Sequence, residues 1–555
     1  METFGYRIDW SDGTSADTGA ATADVAGNRG VRTAGSFDST HIYADNGAYT
    51  VTVTVTDDDG GVTVDTLIVT VQNVAPTLNA GVDQTVNEGQ LTYLDPSAFN
   101  DLGTLDTHAA TINWGDGTTT EAGLVAESPF GPPGSTAGAN GTISGNHVYA
   151  DNGAYTVTVT VTDDDGGVTA DQFNVLVLNV APSLLMTGSN FNVDASNTPI
   201  AFSGVRGQIL TFQGGLTDPG FDNPHNPNGA SVERFTYRIN YGDGTPEVTG
   251  AARIDGVGGP GAPTTGSLQE VHIFTKEGVY MVTTTVTDDD GGTVLVKKTV
   301  TIEIAAVQVD QTDSNKRVLA VGGTVFADEI EVEREDNPAL IEVEIETNDS
   351  HSEYEKVFNA NVARTLVFGQ AGDDKIKVEG KLDSLQFGGL GNDKLQGGKG
   401  NNVLVGAEGD DFLNGASSRD ILIGGHGVDR LVGSSGEDLI VAGYTDFDTN
   451  TMALTALQAE WISTRDSATR IANLAGTASS TTPRLNGSFF LKADSTDLGR
   501  VLLGTVHDDR SVDKITGSSG PDWIFANIDG GVGNFKDTIT DNDKRRILSD
   551  VDYVP

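Results

Sequence analysis

The sequence predicts an all-β protein: a string of antiparallel sandwiches, then a parallel coil of short strands with one inserted helix. Three observations carry this. A 23-residue segment occurs at 41–63 and again at 147–169 with one difference, and a looser copy stands at 272–293. In the second copy Tyr155, Val157, Val159 and Val161 alternate with Thr156, Thr158, Thr160 and Thr162, the period of a half-buried strand. Residues 369–441 then keep a nine-residue period, glycine-rich, with an acidic or amide residue sixth and an apolar residue eighth.

Composition narrows the partners. The 555 residues carry 33 Lys plus Arg against 79 Asp plus Glu, a formal charge of −46. Such a surface repels nucleic acid and anionic lipid and collects cations. Cysteine is absent, which removes disulfides, a thiol nucleophile and a Cys-based zinc site. No apolar run is long enough to span a membrane. The start, METFGYRIDW, has no basic segment followed by an apolar stretch, so no signal peptide is expected there.

Each repeated strand follows a shorter motif: IDWSDGT at 8–14, INWGDGT at 112–118 and INYGDGT at 239–245. Together these resemble the PKD domain, whose hallmarks are a W-x-D-G turn and a Y-x-V-T-x-x-V strand. The resemblance implies immunoglobulin-like β-sandwiches at 1–74, 75–180 and 181–305, with NVAPT at 73–77 and NVAPS at 179–183 as linkers. It makes Trp10, Trp114 and Tyr241 core residues and puts Tyr49, Tyr155 and Tyr280 at tyrosine corners. The first copy is short. Thirty-seven residues separate Pro76 from Trp114, whereas nine precede Trp10. Two strands are therefore expected to be missing, to be supplied by an upstream segment or by further copies of the chain.

The periodic region has its sixth position at Asp374, Asp383, Asp393, Asn402, Asp411, Asp420, Asp429 and Asp438. The eighth holds Ile376, Leu385, Leu395, Leu404, Leu413, Leu422, Leu431 and Ile440, with Phe387 counted as a single insertion. These residues resemble the repeats-in-toxin (RTX) parallel β-roll, in which two nonapeptides make one coil and Ca2+ lies between turns. The roll is expected over 306–445, regular from 369. A domain at 446–555 holds the helix and returning turns at 509–516 and 517–525. Alternate turns stack. One edge keeps its glycines, and there the resemblance implies calcium held by Asp374, Asp393, Asp411 and Asp429 with the turns of Gly372, Gly391, Gly409 and Gly427. The other edge has lost glycines and one aspartate. For Asp383, Asp420 and Asp438 calcium and a metal-free turn stay open as alternatives.

Two further expectations concern neighbours. Strands at 403–405, 421–423 and 439–441 are apolar on both faces, so both faces should be buried. Leu454, Leu457 and Trp461 of a helix at 449–474 are expected to cover the outer one. Separately, the Asp-Asp-Asp-Gly-Gly turns should lie where the chain enters each sandwich, placing Asp163 and Asp165 near Asn73 and Asp288 and Asp290 near Asn179. Calcium there competes with a plain acidic turn built for its backbone geometry.

No hydrolase motif surrounds any histidine, and nothing distinguishes a general acid among so many acidic turns. The expected function is an extracellular, cell-surface calcium-binding structural or adhesive protein: a surface-layer, fibre or matrix component without catalysis, touching a surface or matrix polymer. The competing expectation is the accessory binding region of a larger secreted polysaccharide- or protein-degrading enzyme.

Overall fold

A computed structural model describes residues 2–550 apart from 96, 228, 335, 336, 338, 349–352, 479–482, 498, 499, 503, 529–534 and 541–546. It is almost entirely β. The long alternating segments form two-stranded antiparallel cores, Gly47–Asp57 with Val62–Val71, Gly153–Asp163 with Val168–Leu178, and Gly278–Thr287 with Thr293–Glu303. β-branched residues on every second position suit this pleated, half-buried surface.

The second sandwich closes. An eight-strand sheet wraps around Trp114, Tyr149, Tyr155, Val157, Val159 and Val161, with Phe99 and Ile143 opposite. The third does the same with a four-strand and a five-strand sheet over Phe212, Phe235, Tyr241 and Phe274. The first does not. Phe4–Asp9, Asp17–Ala20 and the long hairpin make a single four-strand sheet, beside a small ribbon of Thr22–Val25 and Ala34–Ser36. Leu67 pairs with Val51 as Phe173 pairs with Val157, yet Leu67 is 51% exposed and Phe173 4%. One face of an ordinary sandwich sheet is therefore open in residues 1–74.

From Ala305 two nine-strand sheets face each other. The first runs from Ala305–Asp310 through Asp313–Gly322, Arg364–Ala371, Asp383–Leu390, Asn402–Glu408, Ile421–His426, Leu439–Val441 and Trp523–Ala526 to Ile547–Asp550. The second includes Asp328–Arg334, Lys375–Val378, Lys394–Gln396, Phe412–Asn414, Arg430–Val432 and Lys514–Thr516. Pairing between successive coils is parallel. Ile376, Leu395, Leu404, Leu413, Leu422, Leu431 and Ile440 fill the space between the sheets, joined by Ile330, Ile515 and Ile524.

One count needs correcting. Ser384, not Asp383, pairs with Asn402, and Phe387 pairs with Val405. The extra residue therefore sits in the 378–384 turn and not at Phe387. Leu385 consequently faces outward beside Val403, while Gln386 takes the inward place and donates to Ser384 Oγ and to the Gln396 carbonyl.

The outer face of the first sheet is covered as its composition demands. The inserted segment forms two helices, not one. Thr451–Trp461 is capped by Asn450 and Ser467–Leu474 by Asp466. Leu454, Leu457, Trp461 and Leu474 pack with Val403, Val405, Ile421, Ile423, Leu439 and Val441. Trp461 is fully buried and its indole N–H donates to the Glu437 carbonyl at 3.0 Å.

The third sandwich runs into the roll with no linker. Its last strand ends at Glu303, Ile304 alone intervenes, and Ala305 opens the first roll strand. Arg206 bridges the seam, donating to the Gly322 carbonyl at 2.7 Å and pairing with Glu277 at 2.9 Å.

Candidate metal centre

Every coil of the roll turns through a tight loop that ends in an aspartate. On the glycine-rich edge these aspartates form a ladder. The backbone N–H of Asp374 donates to Asp393 Oδ1 at 2.8 Å, Asp393 to Asp411 at 2.7 Å, and Asp411 to Asp429 at 2.8 Å. The ladder extends beyond the regular repeats: Asp328 N–H donates to Asp374, Asp429 to Asp513, and Asp513 to Asp537. Asp328 and Asp513 follow from the Asp-x-Ile spacing. Asp537 carries the same spacing, with Ile539 beside Ile515, and sequence reasoning missed it. One residue earlier a second, exposed ladder runs through Asp373, Asn392 and Asp410 to the N–H of Val428.

The ladder consumes only one oxygen of each carboxylate. Oδ2 of Asp374, Asp393, Asp411 and Asp429 is buried with no hydrogen-bond partner. A buried carboxylate oxygen without donor or counter-charge is costly. The loss of water pushes the carboxyls up, to about 9 at Asp374, 7 at Asp393, 8 at Asp411 and 7 at Asp429, and neighbouring aspartates add to this. Glycine is required where the coils touch. A Cβ on Gly391, Gly409 or Gly427 would lie 2.1–2.2 Å from the preceding coil's glycine carbonyl, and their φ values are +123 to +130°. Gly372 is equally tight, 2.4 Å from Ala327 N.

The donor set fits calcium: hard carboxylate oxygens, backbone carbonyls drawn close by glycine, and no soft ligand. Asp374, Asp393, Asp411 and Asp429 would hold the ion with their turn carbonyls. It would supply the positive charge that converts repulsion along the column into cohesion.

The other edge is mixed. Asp420 and Asp438 also form a ladder and also leave a buried Oδ2 without a partner, with burial pushing them to about 9 and 8. Asn402 differs. Its side-chain amide donates to the Gly400 carbonyl at 3.0 Å, the Gly415 carbonyl at 3.1 Å and Asp420 Oδ1 at 2.9 Å, binding three oxygens of two adjacent turns without a metal. Asp383 leaves the column altogether. The extra residue in its turn shifts it outward, where it accepts from the backbone and side chain of Asn401.

At the sandwich joints the structure brings together what the spacing suggested. Asn73 donates to both oxygens of Asp163 at 3.1 and 3.0 Å, and Asn179 to Asp288 at 3.2 Å. Asp163 and Asp288 also close their own turns, accepting from Asp165, Gly167, Asp290 and Gly292. Sequence reasoning missed what the repeated histidines do. His41, His147 and His272 bond Asp12, Asp116 and Asp243 at 2.6–2.8 Å and stack on Trp10, Trp114 and Tyr241. The aspartate is that of the W-x-D-G turn, so motif and repeat are one structural unit. Tyr49, Tyr155 and Tyr280 each donate to a backbone carbonyl four residues upstream, as a tyrosine corner does.

Comparison with known families agrees with this geometry. Residues 4–71 and 73–177 match the PKD domain, and residues 387–422 and 406–440 match the RTX calcium-binding nonapeptide repeat (4 copies). The chain carries two PKD domains followed by RTX repeats. The third sandwich shares their Asp–His pair and tyrosine corner. These repeats are calcium-binding motifs, and both kinds of domain are typical of extracellular or secreted proteins. No helix among the described residues is long and apolar enough to cross a membrane.

No curated protein matches the chain. Among solved structures, a tetra-tandem repeat in the extending region of a large adhesion protein is 14% identical, covering 64% of this chain and 80% of that one at a TM-score of 0.25. Red sea bream transglutaminase is 13% identical, covering 42% and 32% at 0.17. The fibronectin(III)-like modules of Clostridium thermocellum CbhA are 14% identical, covering 41% and 92% at 0.13. Similarity this low carries no functional argument.

Proposed function

We propose that this chain is a calcium-ordered structural or adhesive element of the cell exterior, a surface-layer, fibre or matrix component that acts without catalysis. The observation that carries it is the column of four aspartates, each with one oxygen fixed by the N–H of the preceding coil and the other buried without a partner. Such a column is unfavourable alone and favourable around a hard cation. The histidines support a non-catalytic role, because the three repeated ones are tied to an aspartate and an aromatic ring inside the sandwiches. The open face of the first sheet supports assembly with further copies or a neighbouring polymer. Calcium titration of the full chain, followed by hydrogen exchange in residues 369–441, tests the proposal. Protection should rise with calcium concentration, and Asp411→Asn should blunt the rise. Equal protection in calcium and in chelator would refute it.

A further inference from the structure

The two joints between consecutive sandwiches are built alike from residues that differ. At the first, carboxylate oxygens of Asp101, Asp106 and Asp163 lie within 4.8 Å of one another, and so do those of Asp45, Asp106 and Asp165. Asp45 comes from the first sandwich and the others from the second. Asp106, shared by both groups, is 3% exposed, and its Oδ1 has no partner.

At the second joint Asp288 replaces Asp163, accepting from Gly292 at 2.7 Å as Asp163 does from Gly167. Asp218 replaces Asp101, accepting from the N–H two residues on, that of Gly220. Glu233 replaces Asp106, since the N–H of Arg234 donates to Asp289 as that of Thr107 does to Asp164. Oδ2 of Asp218 (1% exposed) and of Asp288 (7%) are again without partners. Glu88, Asp151 and Asp290 bring three more oxygens within 4.8 Å, from both sandwiches. Docking is equivalent too. The carbonyl of Ala44 accepts from Leu105 at 3.0 Å, and that of Ala150 from Phe221 at 2.9 Å.

A cluster of acids on a loop signifies nothing alone. Here Asp101, Asp106, Asp163 and Glu88 are buried at a seam, the less buried Asp45, Asp165, Asp151 and Asp290 close the clusters from both domains, and Asp106, Asp218 and Asp288 leave oxygens without donors. Among the described residues, only His108 forms a salt bridge with any of them, at 3.1 Å from Asp101. Loss of water pushes Asp106 to about 7, Glu233 to about 9 and Glu88 to about 8, so each joint needs protons or a cation. All donors are hard oxygens, which selects calcium over softer metals.

We infer that each joint between sandwiches is a calcium site whose ligands come from both domains, Asp45 with Asp106 and Asp165 at the first, Asp290 with Glu88 and Asp151 at the second. Binding is then complete only when neighbouring sandwiches are aligned, so the ion stiffens the string. This does not rest on the role proposed for the roll.

The full-length protein tests it, with Ca2+ as the probe and hydrogen exchange read at linkers 73–76 and 179–182. At calcium a hundred times Kd, linker exchange should slow by about 100-fold relative to chelator. Asp106→Asn should abolish the effect at 73–76 alone and Asp290→Asn at 179–182 alone. Each variant removes a repelling charge, so in chelator its sandwich should melt no lower than wild type. Linker exchange indifferent to calcium would overturn the inference. So would a variant that lowers the melting temperature equally with and without calcium, which marks a structural role. A roll that ignores calcium while the linkers respond would refute the proposed function and leave this inference standing.

Discussion

Replacing Trp461 by alanine isolates what the helical cover contributes to the roll. The side chain is fully buried, its ring lies 5.0 Å from the Arg470 guanidinium and 6.3 Å from the Trp523 ring, and its N–H satisfies the Glu437 carbonyl. Removing a buried tryptophan costs about 3–5 kcal/mol through lost transfer energy and the cavity left behind. At about 1.4 kcal/mol per decade, that is a roughly 10²- to 10⁴-fold rise in the population of the opened state. A chain of several domains does not unfold in two states, so a global melting curve is the wrong instrument. Native-state hydrogen exchange of 403–405, 421–423 and 439–441 in saturating calcium reads the local opening directly. These strands should exchange at least 100-fold faster in Trp461→Ala, by about the low end of that estimate. The second sandwich, with its own core, should be unchanged. Exchange within threefold of wild type would show that the helices rest on the roll without supporting it.

Three further outcomes follow. Chelation should melt 369–441 while leaving the second and third sandwiches folded, since their cores pack without the aspartate column that burdens the roll; limited proteolysis should release the roll and spare 75–305. Asn402→Asp exchanges an amide that holds three oxygens for a carboxylate facing Asp420, so in chelator the variant should melt below wild type, and it should bind additional calcium by equilibrium dialysis. Without metal, the pH dependence has a definite sign. Asp374, Asp411, Asp420 and Asp438 sit at about 8–9 in the fold, above an ordinary carboxyl near 3.9, so their contribution is intact below about pH 4 and is lost as pH rises toward 9. In chelator the roll should melt at higher temperature at pH 5 than at pH 9. Calcium, which competes with those protons, should reverse the order.

What could be read from the residues alone was whatever repeats. The interior column and the aspartate ladder follow from a nine-residue period, because stacking converts spacing into position. The double-faced apolar strands announced their cover, since Val403, Val405, Ile421 and Ile423 could not face water. The misplaced insertion shows where counting stops. Leu382 and Phe387 are both apolar, and periodicity cannot say which end of a turn absorbs an extra residue. The joint carboxylates were harder still. Asp101 and Asp218 each end a strand in a short Asp-x-Gly too common to signal anything, and Asp106 and its counterpart Glu233 lie at different distances beyond them. Only their common hydrogen-bond partners reveal them. The pairing of His147 with Asp116 was hidden for another reason: each half of the motif was visible, but their contact is tertiary.

The seam at Ile304 bears on how the roll comes into being. Parallel coils are slow to start, because the first rung must close a long loop before any pairing offsets it. Here Ala305 follows the last strand of a closed sandwich by a single residue, and Arg206 pins Gly322 of the second roll strand to that sandwich. The first rung is therefore laid against a surface that already exists. Each later coil pairs in parallel with the one before it, so an ordered first rung offers the next a ready edge and cuts the loop-closure cost of starting the stack.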